Sequence, residues 1–495
     1  MPVPVLSISQ MRDWEKASWA TAQSEAEVIG RVGRCIARRA LLLTEPNDFI
    51  LILAGNGNNG ADARCARQHL PDRRVAVLNV QIPQADLSAL ETQLSLGPAL
   101  IIDGLFGIGI NRPLGPDWVQ FVEQVNQARA PVLAVDVPSG LNADTGEPQG
   151  AAIRATETLA VGAPKNGLLQ PAGWPFVGRL EVASEVGLAP CPPKSELNWS
   201  LPEDFVGYPP VRAMATHKGS YGHLAILAGS LGYHGAALLA ARAAQRAQPG
   251  LITLYTLEPV YHVVATQLQA VMVAPWNSNL KLPAASSATL IGPGLAAPDA
   301  AGQMKMTTRQ LWRESLQPVI VDASALDWLP PDSIPKNGIR VITPHPGEAA
   351  RLLGCSAQQV QANRLDALRG VSRRFGNCWV VLKGHQTLIG RGAEEAYVNS
   401  SGNPHLAQGG SGDALSGYLA GLLTQPELQA DVLKTIRYAV WQHGAAADYL
   451  QATRPNWVVE ELVEELGRQR PNGFGSAGAL ERSTDTALKP YSAKT

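Results

Sequence analysis

The sequence predicts an α/β protein of two domains, and three observations carry this prediction. Short, continuously apolar segments such as Phe49–Ala54 recur along the chain, which is typical of strands buried on both faces. A glycine-rich or polar corner follows these segments and leads into a helical pattern, the arrangement of βαβ units. The proline-rich stretch at 186–212 separates two such series. We therefore expect a three-layer sandwich followed by a doubly wound sheet.

The composition excludes several classes of protein. A formal net charge of −1 gives no electrostatic basis for binding nucleic acid or an anionic membrane surface. No stretch reaches 18 consecutive apolar residues, and the N-terminus lacks a basic segment followed by a long apolar one, so we expect neither a membrane span nor a signal peptide. The five cysteines are scattered without a CxxC spacing, which argues against a disulfide framework or a zinc site. We expect a cytoplasmic protein.

The first half of the chain contains a glycine-rich turn that admits more than one interpretation. The turn at 55–60 matches the GxGxxG pattern of dinucleotide-binding proteins. Such a site requires an acid at the end of the next strand, whereas this strand ends at Asn79 and Val80. Amides and the carboxylate of Asp62 favour a loop that holds a ligand and coordinates a cation; a tight turn with incidental asparagines is the alternative. We predict helices within 10–43 and at 61–70, and strands at 49–54, 75–80, 99–103 and 132–136.

Polar residues follow three of these strands. Asn58, Asn59 and Asp62 follow the first, Asp103 ends the third, and Asp136 and Ser139 follow the fourth. The carboxyl ends of parallel strands line one crevice, so we expect these side chains to converge. Oxygen ligands suit a hard cation, and Lys165 on a later loop is a candidate for proton transfer. A single acid at a strand end, in contrast, is usually a helix cap or turn residue.

The second half ends its series of strands in a glycine-rich corner at 409–412, directly before Asp413 and an apolar helical pattern. Bare amides at a helix N-terminus attract phosphate. A carboxylate at this position indicates a general base that acts on an attacking hydroxyl; an ordinary acid of the first turn is the alternative. No P-loop motif occurs. We predict a helix at 237–248 and strands at 223–228, 251–256, 288–291, 319–322, 340–343 and 379–382.

Two further residues of the second half are candidates with ordinary alternatives. Lys383 follows a strand and can bind phosphate or support a nucleotide, although a solvated lysine would also fit there. His345 stands between two prolines, so it is held rigidly and suits a ligand contact, or else it caps a helix.

Three motifs of the first half, at 55–62, 103–109 and 136–140, resemble the epimerase domain of the bifunctional NAD(P)H-hydrate repair enzymes, a Rossmann-like fold. That family restores nicotinamide cofactors hydrated at C6, and its epimerase interconverts the R and S hydrates. The resemblance implies potassium ligands at Asn59, Asp103 and Ser139, and we assign catalytic roles to Asp136 and Lys165. The hydrate-binding residues that it implies are Asn58, Asn59, Gly60, Ala61, Asp62, Gly107, Ile108, Gly109, Ile110, Asn111, Arg112, Pro113 and Asp136.

This sequence departs from the family pattern at one place. The family usually reads NNGGDG, whereas this chain carries Ala61 and Ala63 around Asp62. We expect the two additional methyl groups to narrow the ligand loop and to weaken the epimerase.

Five motifs of the second half, at 217–219, 292–295, 343–348, 383–387 and 410–413, resemble the ADP-dependent NAD(P)H-hydrate dehydratase domain of the ribokinase-like superfamily. The resemblance implies that Asp413 deprotonates the C6 hydroxyl of the S hydrate, which attacks the β-phosphorus of ADP, with Mg²⁺ sharing the charge. AMP and phosphate are the products. Hydrate contacts are implied at Ala236, Gly294, His345 and Asp413, and nucleotide contacts at Lys383, Gly384, His385, Gln386, Thr387 and Gly412.

These motifs define the expected organisation. We place the epimerase domain at 1–205, the dehydratase domain at 206–470 and a disordered tail at 471–495. We expect a homo-oligomer whose partners are the small molecules NADHX and NADPHX. The rival enzyme is a ribokinase-like kinase of a vitamin or sugar, with a nucleotide-binding first domain. A nucleotide-binding sensor or scaffold is the rival from another class; Asp413 argues against it for the second domain, whereas Ala61 and Ala63 leave it open for the first.

Overall fold

A computed structural model of the chain describes residues 2–21, 24–191, 194–276, 282–283, 286–296, 301–331, 334–335 and 338–471. The predicted tail, apart from Pro471, lies outside the described residues. No helix in these ranges is long and apolar enough to cross a membrane.

The elements up to residue 199 are, in chain order, β1 (Val3–Pro4), α1 (Ile8–Trp19), α2 (Glu25–Leu43), β2 (Phe49–Ala54), α3 (Asn58–Ala66), β3 (Arg74–Asn79), α4 (Pro83–Ser95), β4 (Leu100–Gly104), α5 (Pro116–Gln127), β5 (Val132–Val135), β6 (Glu157–Val161), α6 (Trp174–Val177), β7 (Arg179–Ala183) and β8 (Leu197–Trp199).

The remaining elements are β9 (His223–Leu227), α7 (His234–Arg246), β10 (Leu251–Leu257), α8 (Glu258–Ala265), β11 (Met272–Trp276), β12 (Ala288–Ile291), α9 (Ala301–Glu314), β13 (Val319–Val321), β14 (Arg340–Ile342), α10 (Pro346–Leu353), α11 (Ala357–Ala362), α12 (Arg364–Arg374), β15 (Trp379–Leu382), β16 (Leu388–Gly390), β17 (Ala396–Val398), α13 (Ser411–Leu423), α14 (Val432–Thr453) and α15 (Val459–Glu465).

The smaller sheet has the strand order β3-β2-β4-β5-β6-β7, and all of its pairs are parallel. Alternate residues of β2 enter two different apolar clusters. Ile50 and Ile52 pack in the cluster that contains Ile36 of α2, whereas Leu51 and Leu53 pack in the cluster that contains Phe121 of α5. A strand buried on both faces reads as continuously apolar, and the predicted three-layer sandwich is confirmed.

The helical spacing predicted over 10–43 is divided between two helices. Ser7 caps α1 and Ser24 caps α2 through their side chains, which satisfies amides that lack partners at a helix start. Gly33 of α2 lies against α3, because a Cβ at this position would come within 2.7 Å of the Cys65 side chain. The glycine therefore allows the two helices to approach closely.

The larger sheet has the order β1-β8-β17-β16-β15-β14-β13-β12-β9-β10-β11. The seven strands from β15 to β11 are parallel, whereas β16 is antiparallel to both of its neighbours. One face of this sheet packs against α7, α13 and α14. The other face packs in an apolar cluster that includes residues of α9, α10 and α12. Helices on both faces confirm the doubly wound sheet.

Two strands that precede residue 205 belong to this larger sheet. β8 pairs with β17, and β1 pairs with β8. The predicted domain boundary at 205 therefore does not separate the two sheets. The predicted boundary followed the proline-rich stretch at 186–212, and its composition carries no information about which sheet the preceding strand has joined.

Candidate active sites

A cavity of about 740 Å³ opens at the carboxyl ends of β2, β4, β5 and β6. Its wall combines the corners after these strands, as expected for the crevice of a parallel sheet. The predicted residues that line it are Asn58, Asn59, Asp62, Gly107, Ile108, Gly109, Ile110, Asn111, Arg112, Pro113, Asp136 and Lys165. The polar corners found in the sequence therefore do converge on one site.

Gly60 and Ala61, also predicted to contact the hydrate, do not line this cavity. A Cβ at Gly60 would come within 2.0 Å of the Gly55 carbonyl oxygen, so the glycine serves the turn itself. The Ala63 side chain is fully buried in the apolar core, and its Cβ lies 2.4 Å from where a Cβ of Gly104 would be. Neither alanine borders the cavity, and the expected weakening of the epimerase stays a prediction.

Asp103 and Ser139 form a buried polar pair beside this wall. The Ser139 hydroxyl donates to Asp103 at 2.6 Å, and the Ser139 amide donates to the other carboxylate oxygen at 2.8 Å. The Phe106 amide in turn donates to the Ser139 hydroxyl oxygen at 2.9 Å. Burial raises the pKa of Asp103 to about 6, although these hydrogen bonds act in the opposite direction.

Asn59 joins this pair through the backbone of Phe106. Its amide nitrogen donates to the Phe106 carbonyl at 2.7 Å, while its carbonyl oxygen is buried and has no hydrogen-bond partner among the described residues. A buried oxygen without a partner is unfavourable. An amide oxygen, a carboxylate and a hydroxyl are also ligands that a hard cation accepts. The three residues predicted to bind potassium therefore fit such an ion.

Asp136 and Lys165 form an ion pair at the cavity. Asp136 has a positive φ of 67°, which is uncommon outside glycine and typical of constrained functional residues. The fully buried Lys165 ammonium contacts the Asp136 carboxylate and donates to the Val161 carbonyl at 2.8 Å. The Val161 amide donates to the same carboxylate at 3.1 Å. The Lys165 ammonium is thus held at one defined position in the cavity wall.

Asp62 lies on the first turns of α3, in the same wall. Burial, together with the neighbouring carboxylates of Asp136, Glu15 and Glu25, raises its pKa to about 8. Asp62 is therefore largely protonated at neutral pH, so it is able to donate a hydrogen bond or a proton.

The second site lies at the carboxyl edge of the larger sheet. Gly410 has a φ of 94°, and α13 begins directly after it. A Cβ at Gly412 would lie 3.3 Å from the Lys383 ammonium. The lysine contacts Asp322 at 2.8 Å and Glu348 at 3.8 Å. The glycine-rich helix start and the lysine, two features recognised separately in the sequence, are therefore adjacent.

Asp413 stands in the first turn of α13. Burial raises its pKa to about 7; Asp322 and Glu348 raise it as well, and Lys383 opposes them. Burial by itself would lower the pKa of Lys383, but Asp322 and Glu348 outweigh it and raise that pKa. Asp413 is thus a carboxylate that changes protonation state near neutral pH, which is a property of general bases. An ordinary acid of the first helical turn remains the alternative.

His345 caps α10. Its Nδ1 accepts hydrogen bonds from the Gly347 amide at 3.1 Å and the Glu348 amide at 3.3 Å. Its side chain is 52% exposed, so the ring also faces solvent. The capping role, weighed in the sequence against ligand binding, is present, and it leaves Nε2 3.5 Å from the Glu348 carboxylate.

Two other predicted hydrate contacts meet in the structure. A Cβ at Gly294, which has a φ of 66°, would lie 3.0 Å from the Ala236 Cβ. The corner after β12 also touches the corner after β13, because a Cβ at Gly292 would come within 1.8 Å of the Asp322 carbonyl oxygen. The corners after β12 and β13 therefore connect the position of Ala236 with Asp322, which in turn contacts Lys383.

The predicted nucleotide loop, 383–387, rests on a buried arginine. Arg364 donates to the Leu382 carbonyl at 3.2 Å and to the Gln386 carbonyl at 3.5 Å. Gly384 has a φ of 125° and Gln386 a φ of 53°, and the Thr387 hydroxyl donates to the Gly384 carbonyl at 3.0 Å. The His385 ring packs edge-on against Trp174 of α6, with 5.1 Å between the ring centroids. The loop is therefore held by both halves of the chain.

Residues 224–468 match the family described as NAD(P)H-hydrate dehydratase, and residues 74–167 match the family described as YjeF-related protein N-terminus. A bifunctional NAD(P)H-hydrate repair enzyme Nnr of Coxiella burnetii is 33% identical over 466 residues, which cover 89% of this chain and 93% of that relative. The chain belongs to the bifunctional NAD(P)H-hydrate repair enzymes. The family named from the sequence motifs is thereby confirmed.

Other relatives agree with this membership. A repair enzyme of the same name from Escherichia coli is 33% identical over 429 residues and covers 81% of each chain. The Vibrio cholerae relative is 37% identical over 358 residues and covers 70% of each chain. The solved structure of an ADP/ATP-dependent NAD(P)H-hydrate dehydratase from Bacillus subtilis is 31% identical, covers 55% of this chain and 96% of that one, and has a TM-score of 0.49.

Three acids of this repair enzyme were not identified as site residues from the sequence. Asp322 and Glu348 surround Lys383; Asp322 follows a strand as Asp103 and Asp136 do, so the same rule applied to it would have found it. Glu15 lines the first cavity from α1. The sequence pattern that could have identified Glu15 is an acid one helical turn after the buried Met11, on the apolar face of a helix.

Proposed function

We propose that the chain repairs hydrated nicotinamide cofactors at two active sites. The second site dehydrates the S form of NADHX or NADPHX at the expense of ADP, and the first site converts the R form into the S form. The observation that carries this proposal is Asp413, whose pKa is raised to about 7 directly beside the bare amides of a helix start. An acceptor hydroxyl and a phosphoryl group can meet at such a position.

The dehydration step follows from these groups. Asp413 takes the proton of the C6 hydroxyl, and that oxygen attacks the β-phosphorus of ADP, so that AMP leaves. The amides of Gly410 and Gly412 and the Lys383 ammonium stabilise the negative charge on the transferring phosphoryl group. The phosphorylated hydrate then loses phosphate together with a ring proton, and the dihydropyridine is restored.

Mg²⁺ is proposed to bind near Lys383. Among the described residues no three acidic side chains are arranged to hold a metal ion by themselves, so the phosphates of ADP would hold it together with one or two of the carboxylates of Asp322, Glu348 and Asp413. When bound, the ion would neutralise charge on the phosphates of ADP. Nucleotide binding is assigned to 383–387 and Gly412, and hydrate binding to Ala236, Gly294 and His345.

The first site provides acid and base groups for inversion at C6. Asp136 and Lys165 are the proposed catalytic pair, and Asp62 lies in the same cavity in largely protonated form. Asn59, Asp103 and Ser139 would hold a potassium ion, which would stabilise the loop at Phe106 next to the hydrate. The remaining contacts proposed for the hydrate are Asn58 and the loop at 107–113.

The proposed setting is the cytoplasm, where a homo-oligomer acts on both hydrates. All five cysteines are free, which suits a reducing compartment.

The test is recovery of the dihydronicotinamide absorbance from a mixed R and S pool by the purified full chain with ADP and Mg²⁺. Recovery of the whole pool supports both activities. Recovery that stops at the S fraction contradicts the epimerase assignment. A product that retains the phosphate, with no absorbance recovered, would instead favour the rival kinase.

A further inference from the structure

Glu15 lies in the first cavity without belonging to any of the motifs that form its wall. α1 presents Met11 and Glu15 to the cavity that also contains Asp62, Asp136 and Lys165. The two residues are four apart, so they lie on one face of the helix. Met11 is 1% exposed and packs in the core, which directs this face of α1 inward.

The position of α1 is determined at both of its ends. Before the helix, the Leu6 amide donates to the Pro164 carbonyl at 2.9 Å, and the Asn166 amide donates to the Leu6 carbonyl at 2.9 Å. The chain thus pairs directly with the backbone on both sides of Lys165. In the middle of the helix the Trp14 indole donates to the Ala189 carbonyl at 2.8 Å, and near its end the Ser18 hydroxyl oxygen accepts from the Ala189 amide at 3.0 Å. Side chains on a helix held in this way are positioned precisely, as active sites require.

The strand before α1 belongs to the other sheet, since β1 pairs with β8. The helix that carries Glu15 is therefore attached to both halves of the chain. This attachment explains how an acid from the start of the sequence occupies a defined place beside Lys165.

The carboxylate of Glu15 has no partner that would explain its place in the wall. Among the described residues, none donates a hydrogen bond to it or forms an ion pair with it. The charges that face it are those of Asp136, Lys165, Arg12 and Glu25, and burial raises its pKa. The Glu15 side chain is half-buried and lines the cavity, so a hydrogen-bond donor on a bound molecule can reach its carboxylate.

We propose that Glu15 is a substrate-contacting residue of the epimerase site, where its carboxyl group hydrogen-bonds to the bound hydrate. The inference rests on the proposed epimerisation of the hydrate in this cavity. It predicts that a helix outside the glycine turn and the strand corners is part of the active site.

The test compares Glu15→Gln with Asp13→Asn in the full chain. Asp13 is exposed on the same helix, so this control makes the same change of charge outside the cavity. Epimerisation is followed by converting pure R hydrate into S hydrate, with the two forms separated by chromatography. Loss of a hydrogen bond to a charged group is expected to lower kcat/KM of Glu15→Gln about 10- to 100-fold. Asp13→Asn should remain within about twofold of the unaltered chain.

Glu15→Asp and the second site distinguish a substrate contact from a structural role. Glu15→Asp keeps the carboxylate and should retain more activity than Glu15→Gln. Dehydration of pure S hydrate should be unchanged in all three variants. A Glu15→Gln enzyme with unaltered kcat/KM, or an equal loss in Asp13→Asn, overturns the inference. An unaltered chain that fails to epimerise R hydrate contradicts the proposed function itself.

Discussion

The two candidate sites of this chain lie at the same kind of sheet edge but differ in the groups that form them. The first is made of side chains from distant parts of the chain: Asn59, Asp62, Asp103, Asp136 and Lys165. The second depends on backbone amides at the start of one helix, with Asp413 three residues after Gly410. A site built from local backbone is recognisable in a short motif, whereas a site built from side chains is complete only when several corners converge.

This difference predicts that the sites can be disabled separately, and Asp413 should show the largest effect. In Asp413→Asn the side chain keeps its size but cannot accept the hydroxyl proton. Dehydration of S hydrate should fall about 10²- to 10⁴-fold, measured by absorbance recovery with ADP. Interconversion of R and S hydrate in the same preparation serves as the control, and a parallel loss there would refute the separation.

The matching change at the first site is Asp136→Asn, and it should also cost stability. Epimerisation should fall about 10²-fold or more, because the acid–base pair is lost, while dehydration of S hydrate persists. The fully buried Lys165 loses its carboxylate partner, which costs about 3–5 kcal/mol when a buried pair is broken. Thermal unfolding should therefore show a lower Tm. Unchanged epimerisation in a folded variant would remove Asp136 from the mechanism.

The pH dependence of dehydration tests the environment of Asp413. A general base must be deprotonated, and the pKa of Asp413 is about 7, so kcat/KM should rise with pH and level off above about 7. Well below that pH the slope should approach about tenfold per unit. The measurement is kcat/KM for S hydrate at saturating ADP across neutral pH. A flat profile through this range would contradict the assignment of Asp413 as a general base that titrates near neutral pH.

A smaller effect is expected from Ser139→Ala, which affects only the proposed potassium site. The change removes the hydroxyl that donates to Asp103 at 2.6 Å and accepts from Phe106 at 2.9 Å, at a cost of about 1–3 kcal/mol. Epimerisation should require more K⁺ for half-maximal rate, with Na⁺ at equal ionic strength as the control. If the epimerisation rate does not depend on K⁺ in either the unaltered chain or Ser139→Ala, the assignment of this ion is contradicted.

The smallest effect on activity is expected from Ala63→Gly, which restores the usual family residue. Because the Ala63 methyl lies in the core and not in the cavity, epimerisation should stay within about twofold of the unaltered chain. Glycine within helix α3 should lower stability by about 1 kcal/mol, visible as a small decrease in Tm. A marked acceleration of epimerisation would show that the alanine does restrict the ligand loop.

Much of the fold was predictable because its strands are buried on both faces. Segments such as 49–54 and 379–382 are apolar without interruption, and their bounds agree with β2 and β15. The short strands β1 and β8 were missed, since two or three residues carry no periodicity. Their partners lie far along the chain, so no local signal could identify the sheet that they join.

The residues of the two sites show the same contrast between local sequence signals and long-range contacts. Local chemistry sufficed for Asp413 and for the corners at Asn59, Asp103 and Asp136, because each follows a strand or a glycine turn whose geometry the residues themselves dictate. Asp322 at a strand end and Glu15 on an apolar helix face each had a sequence signal, but the orientation of Ala63, the contacts of Asp322 and Glu348 with Lys383, and the contact of Glu15 with the cavity required the structure. Each depends on which distant elements pack together, and such long-range contacts exist only once both sheets have formed. The sequence alone thus determined the family and those strands that are apolar without interruption. Tertiary packing decided which side chains face the cavity, and which acids surround the lysine.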